Sequence, residues 1–186
     1  MIKGVKQSRG FSMVELIVVV AILAIVIFTA TDLFVSMVKN QKRTLIQQEL
    51  LNQTSYVAEY MSRAIRVAKK DDVGACIPVG TNYEATQDGR GIKFINHSNN
   101  DICQEFVWDA ITQRIQESKD GGTTFTFLSS DSLQVNDFQL QILGDVMGDN
   151  QQPRVTVFMD IQHKGNDPNE PRQKLQTTIS QRNLDE

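Results

Sequence analysis

Residues 9–38 read Arg-Gly-Phe-Ser-Met-Val-Glu-Leu-Ile-Val-Val-Val-Ala-Ile-Leu-Ala-Ile-Val-Ile-Phe-Thr-Ala-Thr-Asp-Leu-Phe-Val-Ser-Met-Val, and every side chain from Leu16 to Phe28 is apolar. Between Phe11 and Val38 the ionisable residues are Glu15 and Asp32. As a helix rising about 1.5 Å per residue, this stretch reaches roughly 42 Å, more than the ~30 Å of a bilayer's hydrocarbon core. A transmembrane helix over 11–38 is therefore expected. Lys3, Lys6 and Arg9 precede it and no acid does. Basic flanks stay on the cytoplasmic side, which places the N-terminus inside and everything after Val38 outside. No small-x-small site follows the apolar run, so an ordinary cleaved signal peptide does not fit.

Glu15 requires a reason. A carboxylate in a spanning helix costs about 2.5–3.5 kcal/mol at the bilayer centre and less near the interface. Gly10-Phe11-Ser12-Met13-Val14-Glu15, behind a short basic leader and ahead of a long apolar helix, resembles the N-terminus of type IV pilins and type II secretion pseudopilins. The resemblance spans about thirty residues, and it implies a pilin-like fold and a structural rather than catalytic role. By that likeness a membrane prepilin peptidase removes residues 1–10, cutting between Gly10 and Phe11 on the cytoplasmic side. The new Phe11 amine is then methylated, and Glu15 docks on the N-terminus of a neighbouring subunit. The expected partners are that peptidase, other pilin-like subunits, the inner-membrane assembly platform and the lipid bilayer. The expected location is the inner membrane of a bacterium, then a pilus or pseudopilus. The physics is consistent, since a buried acid is tolerated when a cation meets it, and an α-amine with a reference pKa of about 7.7–8.0 supplies one. The chain departs from many pilins in having no Pro within the apolar stretch, with Asp32 near that position. No kink is then forced, and Asp32 marks the outer rim of the membrane. An ordinary signal anchor bearing an extracytoplasmic binding domain is the competing reading.

The intact chain has 19 basic and 22 acidic side chains, a net charge of −3. Loss of residues 1–10 removes three bases and no acid, leaving −6. An acidic mature form disfavours nucleic acid as a partner, because phosphate binding needs clustered cations. With about thirty of the 186 residues committed to the membrane, one modest globular domain remains.

No Gly or Pro occurs from Phe11 to Val73, so the helix is expected to continue beyond the membrane as an amphipathic half, residues 39–70. Ile46, Leu50, Val57, Met61, Ile65 and Ala68 form its apolar stripe, Lys69 and Lys70 suit its C-terminal dipole, and Gly74 is its stop. Residues 71–90, with Gly74, Pro78, Gly80 and Gly89, read as a long variable loop. Residues 91–186 read as an antiparallel β-sheet domain. Its strands are expected at 91–95, 103–108, 112–116, 123–128, 138–143, 154–162 and 174–181. Alternation places Phe106, Trp108, Phe125, Phe127, Phe138 and Val157, among others, on the face toward the helix. The fold class is α+β, a long helix packed on an antiparallel sheet.

Cys76 and Cys103 both lie beyond the membrane segment. In an oxidising compartment they pair, closing a loop of about 27 residues for roughly 3.5 kcal/mol; two buried thiols is the other reading. Ser118-Lys119-Asp120-Gly121-Gly122-Thr123-Thr124-Phe125 resembles the Asp-box of sialidases, which is a hairpin turn without catalysis, and is read as a turn. Asp145, Asp149 and Asp167 are weak calcium candidates, in loops whose Asp, Asn, Gly and Pro serve as turn formers and lack a twelve-residue register. No catalytic set, cofactor motif or metal spacing is recognisable. The Arg-rich helix half and the closing run Lys174–Asn183 look most like minor pseudopilins of the J type, which favours a minor or tip subunit.

Overall fold

The computed structural model of the protein describes residues 10–145, 151–165 and 170–182. It divides into two compact units, residues 1–45 and 46–186, and one helix, α1 (Met13–Arg66), contributes to both. In the first unit the apolar side chains of α1 are exposed on every side. The hydroxyls within the apolar stretch turn inward on the helix itself. Thr29 donates to the Ile25 and Val26 carbonyls (3.1 and 3.0 Å) and Thr31 to that of Ile27 (2.8 Å), so neither needs water. Met13–Arg66 is long and apolar enough to cross a membrane.

The second unit holds the last turns of α1 and nine strands among the described residues: β1 (Ala68–Lys69), β2 (Glu84–Thr86), β3 (Gly91–Asn96), β4 (Ile102–Asp109), β5 (Arg114–Ser118), β6 (Thr126–Phe127), β7 (Leu133–Leu143), β8 (Arg154–His163) and β9 (Arg172–Ser180). They form two antiparallel sheets. The first runs β1-β3-β4-β5-β6, with β2 also on β3; the second runs β7-β8-β9. Leu50, Val57, Met61 and Ile65 of the helix share one core with Ile92, Phe94, Phe106 and Ile115 of the first sheet and Phe138, Val157, Met159 and Ile161 of the second. The α+β architecture is thus present, with the strands in two sheets where the pattern alone suggested one. Val135 and Phe138 are both buried although an odd number of residues separates their alternation. A bulge between Val135 and Asp137 shifts the register and restores the inward face.

The helix stops at Arg66, short of Lys69, Lys70 and Gly74. Its last carbonyls are taken by groups distant in sequence. The Tyr83 hydroxyl donates to the Ile65 carbonyl (2.8 Å), Arg182 N–H to that of Arg66 (2.8 Å) and His97 N–H to that of Val67 (3.3 Å). Ala68 and Lys69 then pair with Asn96 and Ile95 as strand β1. Ala68 is buried as the stripe predicts, but from a strand. Thr54 is also buried in the stripe, where the sequence pattern left a gap.

Phe125 and Phe127 are exposed, contrary to the alternation. Residues 123–128 yield only Thr126–Phe127 as strand, because Asp120 draws the Thr123 and Thr124 amides into a turn (3.0 and 2.9 Å). Phe127 instead lies under the Arg114 guanidinium, 3.9 Å from the ring centroid. Within the expected loop, residues 84–86 form β2 and Gln87–Gly89 a 3₁₀ turn. Ile65 is fully buried. Ile65→Ala is expected to destabilise the second unit by about 2–5 kcal/mol, against within about 0.5 kcal/mol for the exposed Ser55→Ala. Thermal unfolding of the detergent-solubilised full chain measures the difference.

Candidate functional site

Two places concentrate chemistry, and each belongs to one unit. In the first unit, Ser12 precedes the helix and its carbonyl accepts the Leu16 N–H (3.2 Å), so Glu15 falls in the first turn. An acid there meets the positive end of the helix dipole. Phe11 is 75 % exposed, and a Cβ built on Gly10 would meet nothing within 4 Å. The fold itself therefore imposes no glycine at position 10.

In the second unit, Cys76 and Cys103 are joined as a disulfide, with Cα atoms 5.5 Å apart. It ties the loop after β1 to strand β4. Asp71 fastens the same loop from within. One carboxylate oxygen accepts the N–H groups of Val73 and Gly74 (3.0 and 2.7 Å), the other those of Cys76 and Ile77 (2.8 and 3.1 Å). The Cys76 amide is foremost in holding the Asp71 carboxyl well below the usual carboxylate range, against the opposing effect of burial. Sequence reading passed over Asp71, although an acid two and three residues before a Gly-containing turn is the signature of such a cradle.

Asp145 is engaged as an acceptor: Asn82 N–H and side-chain amide reach one of its oxygens (2.8 and 3.1 Å) and Tyr83 N–H the other (3.1 Å). Asp149 and Asp167 lie outside the described residues. Among the described residues no group of three or more His, Cys, Asp or Glu could hold a metal ion. The Ser118–Phe125 segment is a turn. Asp120 accepts from the Ser118 and Thr124 hydroxyls (2.7 and 2.6 Å), and the Ser118 hydroxyl accepts Gly122 N–H (2.9 Å). Trp108 serves as an anchor, its indole N–H donating to the Val135 carbonyl (3.0 Å) with Arg90 stacked 4.9 Å from the ring centroid.

A polar chain also missed by the sequence reading links helix to sheet. The Tyr60 hydroxyl donates to buried Glu117 (2.7 Å), the Gln104 amide donates to the same oxygen, and the Asn96 amide donates to Gln104. Burial, then the Glu117 carboxylate, raises the Tyr60 phenol above its ordinary value. These contacts are structural, since each joins side chains of neighbouring elements and leaves no open reacting position.

Residues 5–31 match the family described as the prokaryotic N-terminal methylation motif. No curated protein and no solved structure matches the chain. The match supports a type IV pilin-like kinship for the N-terminal segment and points to a structural subunit rather than an enzyme.

Asp71→Asn turns an amide toward four backbone donors, and is expected to cost about 1–3 kcal/mol near neutral pH. Because the folded-state pKa is depressed, the carboxylate's contribution is complete above its unfolded pKa of about 3.9 and is lost as pH falls toward the folded value. The stability gap between wild type and Asp71→Asn should therefore narrow below about pH 4, as read from melting curves at a series of pH values.

Proposed function

We infer that the protein is a structural subunit of a type IV pilus-like filament or a type II secretion pseudopilus. Prepilin peptidase cuts the inserted precursor between Gly10 and Phe11, and the Phe11 amine is methylated. The leader stays in the cytoplasm, the second unit lies on the extracytoplasmic side of the inner membrane, and the Cys76–Cys103 disulfide suits that compartment. Assembly on an inner-membrane platform exchanges lipid around residues 11–38 for the helices of other subunits. Glu15 meets a neighbour's Phe11 amine and sets the register, since a mispaired copy would leave a charge uncompensated in an apolar core. A minor or tip subunit, most like the J-type pseudopilins, is the favoured place in the filament.

One observation carries this reading: a helix apolar on all sides, with an acid in its first turn, directly behind the Gly10–Phe11 junction and within the matched motif. Helices that pack only on their own head need one apolar face, whereas this one offers apolar side chains around its circumference. The absence of any steric need for glycine at position 10 supports recognition by another protein as the reason it is there.

Mass spectrometry of protein extracted from cells containing the peptidase should find a chain that starts at Phe11 and carries one added methyl group. Glu15→Ala should still be inserted and cut, yet incorporation into sheared filaments should fall at least about tenfold, the equivalent of about 1.4 kcal/mol per subunit. An intact Met1, or unchanged incorporation of Glu15→Ala, would leave a signal-anchored binding domain as the better description.

A further inference from the structure

Three cations follow the apolar span directly. Lys39, Lys42 and Arg43 stand at i, i+3 and i+4, so they share one face of α1, and all three are exposed. From Leu33 to Gln48 the chain holds no acid. Asp32 lies about two turns before Lys39, and Glu49 accepts the Ser132 hydroxyl (3.0 Å). None of the three cations forms an ion pair among the described residues. Without them, residues 11–186 carry 13 bases against 22 acids, so this band is a positive island in an acidic chain. Its height matches one layer of a membrane. Residues 11–38 reach roughly 42 Å as a helix, and a bilayer measured with its headgroups is about 40–45 Å thick. With Phe11 at one surface, Lys39 emerges in the headgroup layer of the other. Helix side chains lean toward the N-terminus, here back toward the span. Val35 and Val38, four residues before Lys39 and Lys42, are 44 % and 47 % exposed, the lowest of the large apolar residues from Phe11 to Val38. Long basic side chains cover apolar surface in this way while their charged ends seek a polar layer.

We propose that Lys39, Lys42 and Arg43 bind the phosphate of an anionic phospholipid headgroup, in the leaflet through which the chain leaves the membrane. A phosphodiester complements the band in charge. The guanidinium can meet two of its oxygens at once, the ammonium groups act as point charges, and the acyl chains of the same lipid continue along the apolar residues of the span. The inference rests on the membrane-anchored reading and not on filament formation. Its consequence is a fixed depth for α1, because an anionic surface holds this band while it repels the acidic remainder of the chain. Loss of residues 1–10 would take Lys3, Lys6 and Arg9 away and leave Lys39, Lys42 and Arg43 as the basic flank of the span.

The test uses the full chain in phosphatidylcholine vesicles, with Lys3, Lys6 and Arg9 changed to Gln so that the leader contributes no selectivity. Trace spin-labelled phosphatidylglycerol or phosphatidylcholine is added, and the motionally restricted fraction of each label gives their relative association with the protein. Phosphatidylglycerol should be preferred roughly fivefold, about what one cation near an anionic surface is worth. Lys39→Gln, Lys42→Gln and Arg43→Gln should lower the preference stepwise, and the three together should bring it near one. All three positions are exposed and Gln is a good helix former, so folding is not at risk. Lys164→Gln, at an exposed cation of the second unit, should change nothing, and about 1 M salt should remove the preference, because charges are then screened within about 3 Å. Equal association of the two lipids, a preference that survives the triple change, or an equal loss in Lys164→Gln would overturn the proposal. Absence of selectivity together with loss of filament incorporation in the triple variant would overturn it in favour of an acidic protein surface. Failure of the protein to float with the vesicles would sink the membrane-anchored reading and the proposal with it, whereas flotation without selectivity sinks the proposal alone.

Discussion

One helix has to satisfy two surroundings, and the rest of the structure follows from that constraint. Up to Val38 its apolar residues face every direction, so no single packed face could bury them. From Leu50 to Ile65 they fall on one stripe, and that stripe is covered by residues from both sheets. Burying a side chain such as Ile65 or Met61 is worth about 1.5–3 kcal/mol each, enough that this stretch of helix organises the second unit. The exposed apolar stretch contributes nothing comparable within the chain. Its stabilisation must come from lipid or from other helices.

What the sequence made legible was what depends on local periodicity. The apolar run, the stripe at Leu50, Val57, Met61 and Ile65, and most strands could be read because each side chain's neighbours lie within a few residues. The helix end could not. No glycine or proline stops the chain at Arg66; instead Tyr83, His97 and Arg182 supply the donors for the last carbonyls, and no pattern near residue 66 foretells them. Phe125 and Phe127 misled for a related reason, since alternation assumes an uninterrupted strand and Asp120 breaks it. The inward face of β7 depends on the bulge after Val135, a single extra residue that alternation treats as noise.

The loop after β1 illustrates how a segment with little core of its own can still be ordered. The disulfide restrains it from outside, while the Asp71 carboxylate gathers four amides that would otherwise need water. The two devices act on different states. A cross-link lowers the entropy of the unfolded chain, whereas the carboxylate stabilises the folded one. Glu117 plays a comparable part deeper in the unit, where an acid between helix and sheet is made tolerable by the Tyr60 hydroxyl and the Gln104 amide. Such acids are structural, and their burial alone does not make a catalytic site.

Glu15 is different because its magnitudes do not balance locally. A carboxylate in the first turn of a helix gains about 0.3–1 kcal/mol from the dipole when it is exposed. Placed at the centre of a bilayer it would cost about 2.5–3.5 kcal/mol, and proximity to the interface lowers that cost without turning it into a gain. An aliphatic or alanine residue would forgo the small dipole gain but avoid the larger bilayer cost, and so would serve an isolated anchor better. The acid becomes favourable only when a cation is delivered to it in an apolar surrounding, where a close charge pair is far stronger than in water. On the reading proposed above, that cation is a neighbour's α-amine, which would not exist until the leader had been removed. If Glu15 docks as proposed, processing and packing are coupled by one electrostatic requirement, because in an uncut copy Phe11 carries a neutral peptide amide and the nearest cation is the side chain of Arg9.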